Sequence, residues 1–122
     1  MDVTGKIRCL LVLSIALSTQ VALGARCPAM ESEEFARYVV SSGAKRVIFF
    51  ASWCISCREH LQSAGKEDII VGVFDEANRI ERLAEKLKTD APCVQGDGIA
   101  KSYGVTSLPA SRPIQRLQSQ RH

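Results

Sequence analysis

At 122 residues, with 16 basic and 13 acidic side chains and a formal net charge of +3, the chain has room for one small domain. The positive excess is modest, and no basic run is interleaved with aromatics, so the signature of a nucleic-acid-binding protein is missing. No internal repeat or low-complexity segment is present.

In chain order, residues 1–24 read as a targeting segment. Lys6 and Arg8 form a basic start, residues 9–17 an apolar core, and Ser18-Thr19-Gln20 interrupts it. Ala22 and Gly24 are the small residues of a signal-peptidase site, which predicts cleavage before Ala25. The apolar core is short and broken for a spanning helix; an uncleaved N-terminal anchor is the alternative. Arg26 speaks against a lipid anchor through Cys27. Of five cysteines, Cys9 would leave with the signal, and the mature chain would keep Cys27, Cys54, Cys57 and Cys93. Export implies a compartment in which disulfides persist.

The mature chain alternates helix and strand. Residues 31–42 predict a first helix, with Ser32 as a possible cap, acidic residues in the first turn, Phe35 and Val39 inward, and Gly43 as its stop. Residues 47–51 are an unbroken apolar run, as expected of a central strand covered on both faces. A helix over 54–64 follows and stops at Gly65, and 68–74 predict a second buried strand. In 78–88, Ile80, Leu83, Ala84 and Leu87 fall on one helical face. This order argues for a parallel α/β core. Beyond it, Pro92-Cys93-Val94 reads as a short extended piece, 95–98 as a turn, and 99–103 as a short helix before Gly104.

The chemistry sits in Trp53-Cys54-Ile55-Ser56-Cys57. An apolar strand would deliver the first thiol to the first turn of a helix, where unpaired N–H groups and partial positive charge favour a thiolate. The second thiol, one turn on, can close on the first. The spacing alone also fits half a zinc site, with Cys27, Cys93 or His60 as the remaining ligands, or two buried structural cysteines. A second disulfide between Cys27 and Cys93 is possible, but spacing cannot set connectivity. Cys93 reads as a buried strand residue and Cys27 as potentially exposed and reactive; structural or incidental roles are favoured for both.

This motif after Phe50-Ala51-Ser52, with Tyr103-Gly104-Val105-Thr106-Ser107-Leu108-Pro109 downstream, resembles the thioredoxin superfamily. It is closest to the exported thiol-disulfide proteins of the bacterial cell envelope, including the cytochrome c maturation type. The resemblance covers roughly residues 31–109. It implies a three-layer α/β/α fold over 25–110, with Cys54 as attacking thiol and Cys57 as resolving thiol. Trp53 would flank the site. Pro109 would be a cis-proline shaping the substrate groove, and Leu108 would pair with the bound chain. The implied partners are protein thiols and disulfides and a membrane-bound redox partner, with no nucleic acid and no cofactor.

Three departures from the family stand out. Ile48 occupies the position of the family's buried Asp, so Glu59 and His60 are the candidates for proton transfer. The pair Ile55-Ser56 is unfamiliar, which leaves the direction of exchange open. The chain also ends early: residues 111–122 read as a basic, polar, disordered tail with no strand pattern, so the C-terminal strands and helix look missing. A sheet so shortened exposes an edge beside the site, and another chain could complete it. The alternative function is therefore a truncated or degenerate domain that binds thiols, metal or a partner without catalysis.

Overall fold

The computed structural model describes residues 26–114. The expected targeting segment over 1–24 and the far end of the tail, 115–122, lie outside the described residues. Helix α1 spans Ser32–Ser42, strand β1 Arg46–Phe50, helix α2 Ile55–Gln62 and strand β2 Asp68–Gly72. Helix α3 spans Ala77–Leu87, strand β3 Cys93–Gln95, helix α4 Asp97–Ser102 and strand β4 Ala110–Pro113. The sheet order is β3-β2-β1-β4, with β1, β2 and β3 parallel and β4 antiparallel to β1. The chain is thus α/β with an open, mixed four-stranded sheet.

Period-two alternation along the central strands splits the core into two clusters. Val47, Phe49, Ile69 and Val71 pack with Phe35 and Val39 of α1 and Ile99 and Ala100 of α4. Ile48, Phe50 and Ile70 pack with Cys57 and Leu61 of α2 and Ile80, Leu83 and Ala84 of α3. Both faces of the sheet are covered, which is why the strands read as continuous apolar runs. Gly72 lets α3 come close: a Cβ there would stand 2.5 Å from the Ile80 side chain. Arg46 and Asp68, paired in register at the start of β1 and β2, form a two-pronged ion pair at 3.0 and 3.1 Å. That pairing, chiefly the hydrogen bonds from Arg46, outweighs burial and holds the Asp68 carboxyl below its ordinary pKa.

Several expectations need correction. Glu31, not Ser32, occupies the N-cap of α1, and no side chain caps that end; Gly43 closes the helix at φ 76° as expected. Helix α2 stops at Gln62 rather than running to 64, because the Gly65 N–H is taken by the Asp68 carboxylate at 3.0 Å. In place of the turn expected over 95–98, β3 ends at Gln95, Gly96 is the N-cap and α4 begins at Asp97.

The largest correction concerns the tail. Residues 111–113 continue from Ala110 as strand β4 against β1, with Phe49 opposite Ala110 and Arg46 opposite Pro113. The side chains show no strand pattern because an edge strand is held by backbone pairing, and Pro is tolerated there. The edge of β1 beside the site is therefore covered, and Ile114 N–H extends the contact to Lys45 O at 2.8 Å.

The opposite edge is covered too. Residues 26–30 lie along β3: Ala29 bridges Gln95, Met30 N–H donates to Gln95 O, and Gln95 N–H donates to Pro28 O. Cys27 is buried and bonded to Cys93, against the expectation of an exposed thiol. Among the described residues no helix is long and apolar enough to cross a membrane.

Candidate functional site

Strand β1 ends at Phe50, and Ala51-Ser52-Trp53 turns the chain toward α2. Cys54 N–H donates to Ala51 O at 3.2 Å, which closes that turn. Cys54 then occupies the N-cap of α2 with extended backbone angles, and its sulfur accepts the Cys57 N–H at 3.2 Å. The sulfur therefore meets one of the N–H groups that a helix start leaves unpaired.

Cys54 and Cys57 are at disulfide distance, with Cα atoms 5.3 Å apart. Such a pair is compatible with redox chemistry. Cys57 is fully buried and Cys54 is 6% exposed, but the flanking residues are open: Trp53 is 57% and Ile55 81% exposed. Two large exposed apolar side chains next to Cys54 in sequence are the kind of surface on which another chain can lie.

The end of β2 holds this loop from the other side. Asp75 Oδ2 accepts the Ser52 N–H at 2.6 Å, and its Oδ1 accepts the Glu76 N–H at 2.8 Å. Burial alone would raise the Asp75 carboxyl, but the hydrogen bonds from Ser52 and Glu76 and the charge of Arg79 outweigh it and leave it below its ordinary value. Phe74 O accepts the Trp53 indole N–H at 2.9 Å, which fixes the ring. Phe74 itself stands at φ 56°, a conformation that costs a bulky residue about 1–3 kcal/mol. Its N–H donates to Asp97 Oδ1 at 2.7 Å, so both of its peptide groups are tied down.

Phe74 and Asp75 belong to no motif in the sequence. The available signal is their position just after a buried strand, since α/β sheets present their sites beyond the carboxyl ends of strands.

The remaining candidates are placed as follows. The Leu108–Pro109 peptide bond is cis. Leu108 packs against both core clusters, including the one that contains Cys54 and Cys57, while Pro109 is exposed. Glu59 and His60 are exposed on α2, off the face that buries Cys57 and Leu61, and neither side chain makes a hydrogen bond or ion pair among the described residues. Cys27 and Cys93, the thiols that could have completed a metal set, are bonded to each other. Among the described residues no three His, Cys, Asp or Glu side chains converge as metal ligands.

No protein-family model matches this chain, and no curated protein matches its sequence.

Proposed function

We propose that the protein is a thioredoxin-like thiol-disulfide oxidoreductase, exported to the cell envelope, that exchanges disulfides with protein substrates. The observation that carries this reading is the Cys54–Cys57 bridge at the start of α2, with Cys57 N–H on the Cys54 sulfur and Trp53 and Ile55 open beside it. The mixed sheet supports the family resemblance.

In the reduced state, Cys54 thiolate attacks one sulfur of a substrate disulfide. A mixed disulfide forms, and the other substrate sulfur leaves as a thiolate that takes up a proton. Cys57 then gives up its proton and attacks the Cys54 sulfur. The Cys54–Cys57 disulfide forms, and the second substrate thiolate is released, so the substrate has gained the two electrons lost by the pair. The reverse sequence oxidises a dithiol substrate. Glu59 or His60 is the candidate acceptor for the Cys57 proton. Trp53, Leu108 and Pro109 are the candidate groove residues, and a membrane-bound redox partner would reset the pair.

Substitution separates the two thiols. Cys54→Ser should abolish exchange with a peptide disulfide, whereas Cys57→Ser should accumulate a mixed disulfide on Cys54, read by mass under non-reducing conditions. Full activity in Cys54→Ser, with nothing trapped by Cys57→Ser, would defeat the proposal.

A further inference from the structure

We infer that the cationic cleft beside the redox pair docks an acidic stretch of the protein substrate. This rests on the oxidoreductase reading and names the substrate class that the site would take.

The cleft has a volume of about 510 Å³. Trp53 and Arg58 line it from the side of the redox pair; Arg79, Arg82 and Lys86 line it from α3, with Leu83 between them. The three α3 cations fall at i, i+3 and i+7, so they form one stripe along the helix. Two nearby carboxylates are committed elsewhere, while Glu85, three residues from Arg82, makes no ion pair among the described residues. Asp75 holds the Ser52 and Glu76 N–H groups, and Glu81 holds the N–H groups of Arg26 and Cys27. Glu76 reaches only Arg79, at 3.8 Å. Among the described residues Arg58, Arg82 and Lys86 have no ion pair.

Like charges three and four residues apart disfavour a helix. Glu76 offsets part of the charge of Arg79, and Lys86 sits in the last turn where the helix dipole favours it, but Arg82 has no ion pair among the described residues, so the stripe keeps a net positive charge that an anion can balance. Trp53 belongs both to this cleft and to the redox turn, and its ring is fixed by the bond to Phe74 O. A chain whose disulfide meets Cys54 crosses Trp53, and its neighbouring residues then lie over the cations. Arg58, Arg79, Arg82 and Lys86 are all exposed. Exposed cations suit several weak contacts that speed encounter and select a partner by charge, rather than capture of one small ion.

The test uses the full chain and three peptides with the same cystine core, flanked by Glu, Ser or Lys. Exchange is followed by stopped flow on the fluorescence of Trp53, the chain's single tryptophan. At low ionic strength the Glu peptide should react about tenfold or more faster than the Lys peptide, and the ratio should fall toward one in concentrated salt. In Arg82→Glu combined with Lys86→Glu, the ratio should collapse or invert. Because the ratio is taken within one protein, a partly misfolded variant does not mimic that result, and the salt dependence of the unaltered chain decides independently.

Equal rates for the three peptides would overturn the inference. A preference that survives the double reversal, or binding to phosphatidylglycerol vesicles without any peptide preference, would overturn it too. If no peptide disulfide reacts, the oxidoreductase reading fails. Titration with Ser-for-Cys versions of the same peptides then still decides whether the cleft takes acidic chains.

Discussion

The Cys27–Cys93 and Cys54–Cys57 bridges lie in the same buried cluster, yet the chain surrounds them differently. Cys27 and Cys93 join segments 66 residues apart, and the N–H groups and carbonyls around them are used up by β3, Gln95 and Glu81. Cys54 and Cys57 are three residues apart at a helix start, and Cys54 is flanked in sequence by the exposed Trp53 and Ile55. The first arrangement closes a long loop and ties the N-terminal segment to the sheet. The second closes almost no loop and lies beside the exposed Trp53 and Ile55. On the proposed function, the same bond is a staple in one region and a reagent in the other.

The largest expected effect separates the two by activity. Cys54→Ser should remove disulfide exchange altogether, while Cys27→Ser with Cys93→Ser should retain it as long as the protein is folded. Exchange assays below the melting point check this, and loss of exchange in a folded Cys27→Ser/Cys93→Ser protein would erase the distinction.

Stability should rank the pairs the other way. In the chain-entropy view, opening the 66-residue loop costs about 4 kcal/mol, against about 2 kcal/mol for the short loop between Cys54 and Cys57. Denaturant midpoints of the two double-serine variants measure the difference. Equal losses would mean that Cys27–Cys93 does not staple residues 26–30 to the sheet.

Smaller effects come from two carboxylates, one at the start of the central strands and one that holds the turn before Cys54. Asp68→Asn should cost about 1–2 kcal/mol, with the half-exposed Arg46 discounted for solvent screening. The folded Asp68 carboxyl has a lowered pKa, so unfolding takes up a proton in acid. Its contribution is complete above the unfolded carboxyl's value of about 4 and is lost as pH falls through the lower folded value. Stability against pH should therefore fall less steeply in Asp68→Asn below about pH 4. Asp75, lowered in the same direction, should show the same sign.

Asp75→Asn should cost least, about 1 kcal/mol, but should loosen the turn before Cys54. The emission of Trp53 should then shift, since its anchor is the neighbouring Phe74 carbonyl. An unchanged spectrum and an unchanged exchange rate would show that the end of β2 does not position the site.

Much of this contrast is legible in the amino-acid sequence alone. The apolar runs of β1 and β2 announce strands because both faces are covered, and Ile80, Leu83 and Ala84 announce α3 because one face is. Cys54 and Cys57 stand out because their partners are local. What stays hidden depends on residues far apart in the chain. Nothing near Cys27 encodes Cys93, and nothing near Ser52 encodes Asp75. Strand β4 is hidden for a related reason: backbone pairing to β1 holds it, and its side chains carry little of the pattern.

The division into staple and reagent is tested by a redox titration of the folded protein in glutathione buffers, read by alkylation and peptide mass. One two-electron transition confined to Cys54 and Cys57 is expected, with Cys27–Cys93 intact across the whole range. Opening of Cys27–Cys93 in the same transition, or exchange of partners between the two pairs, would show that the division does not hold.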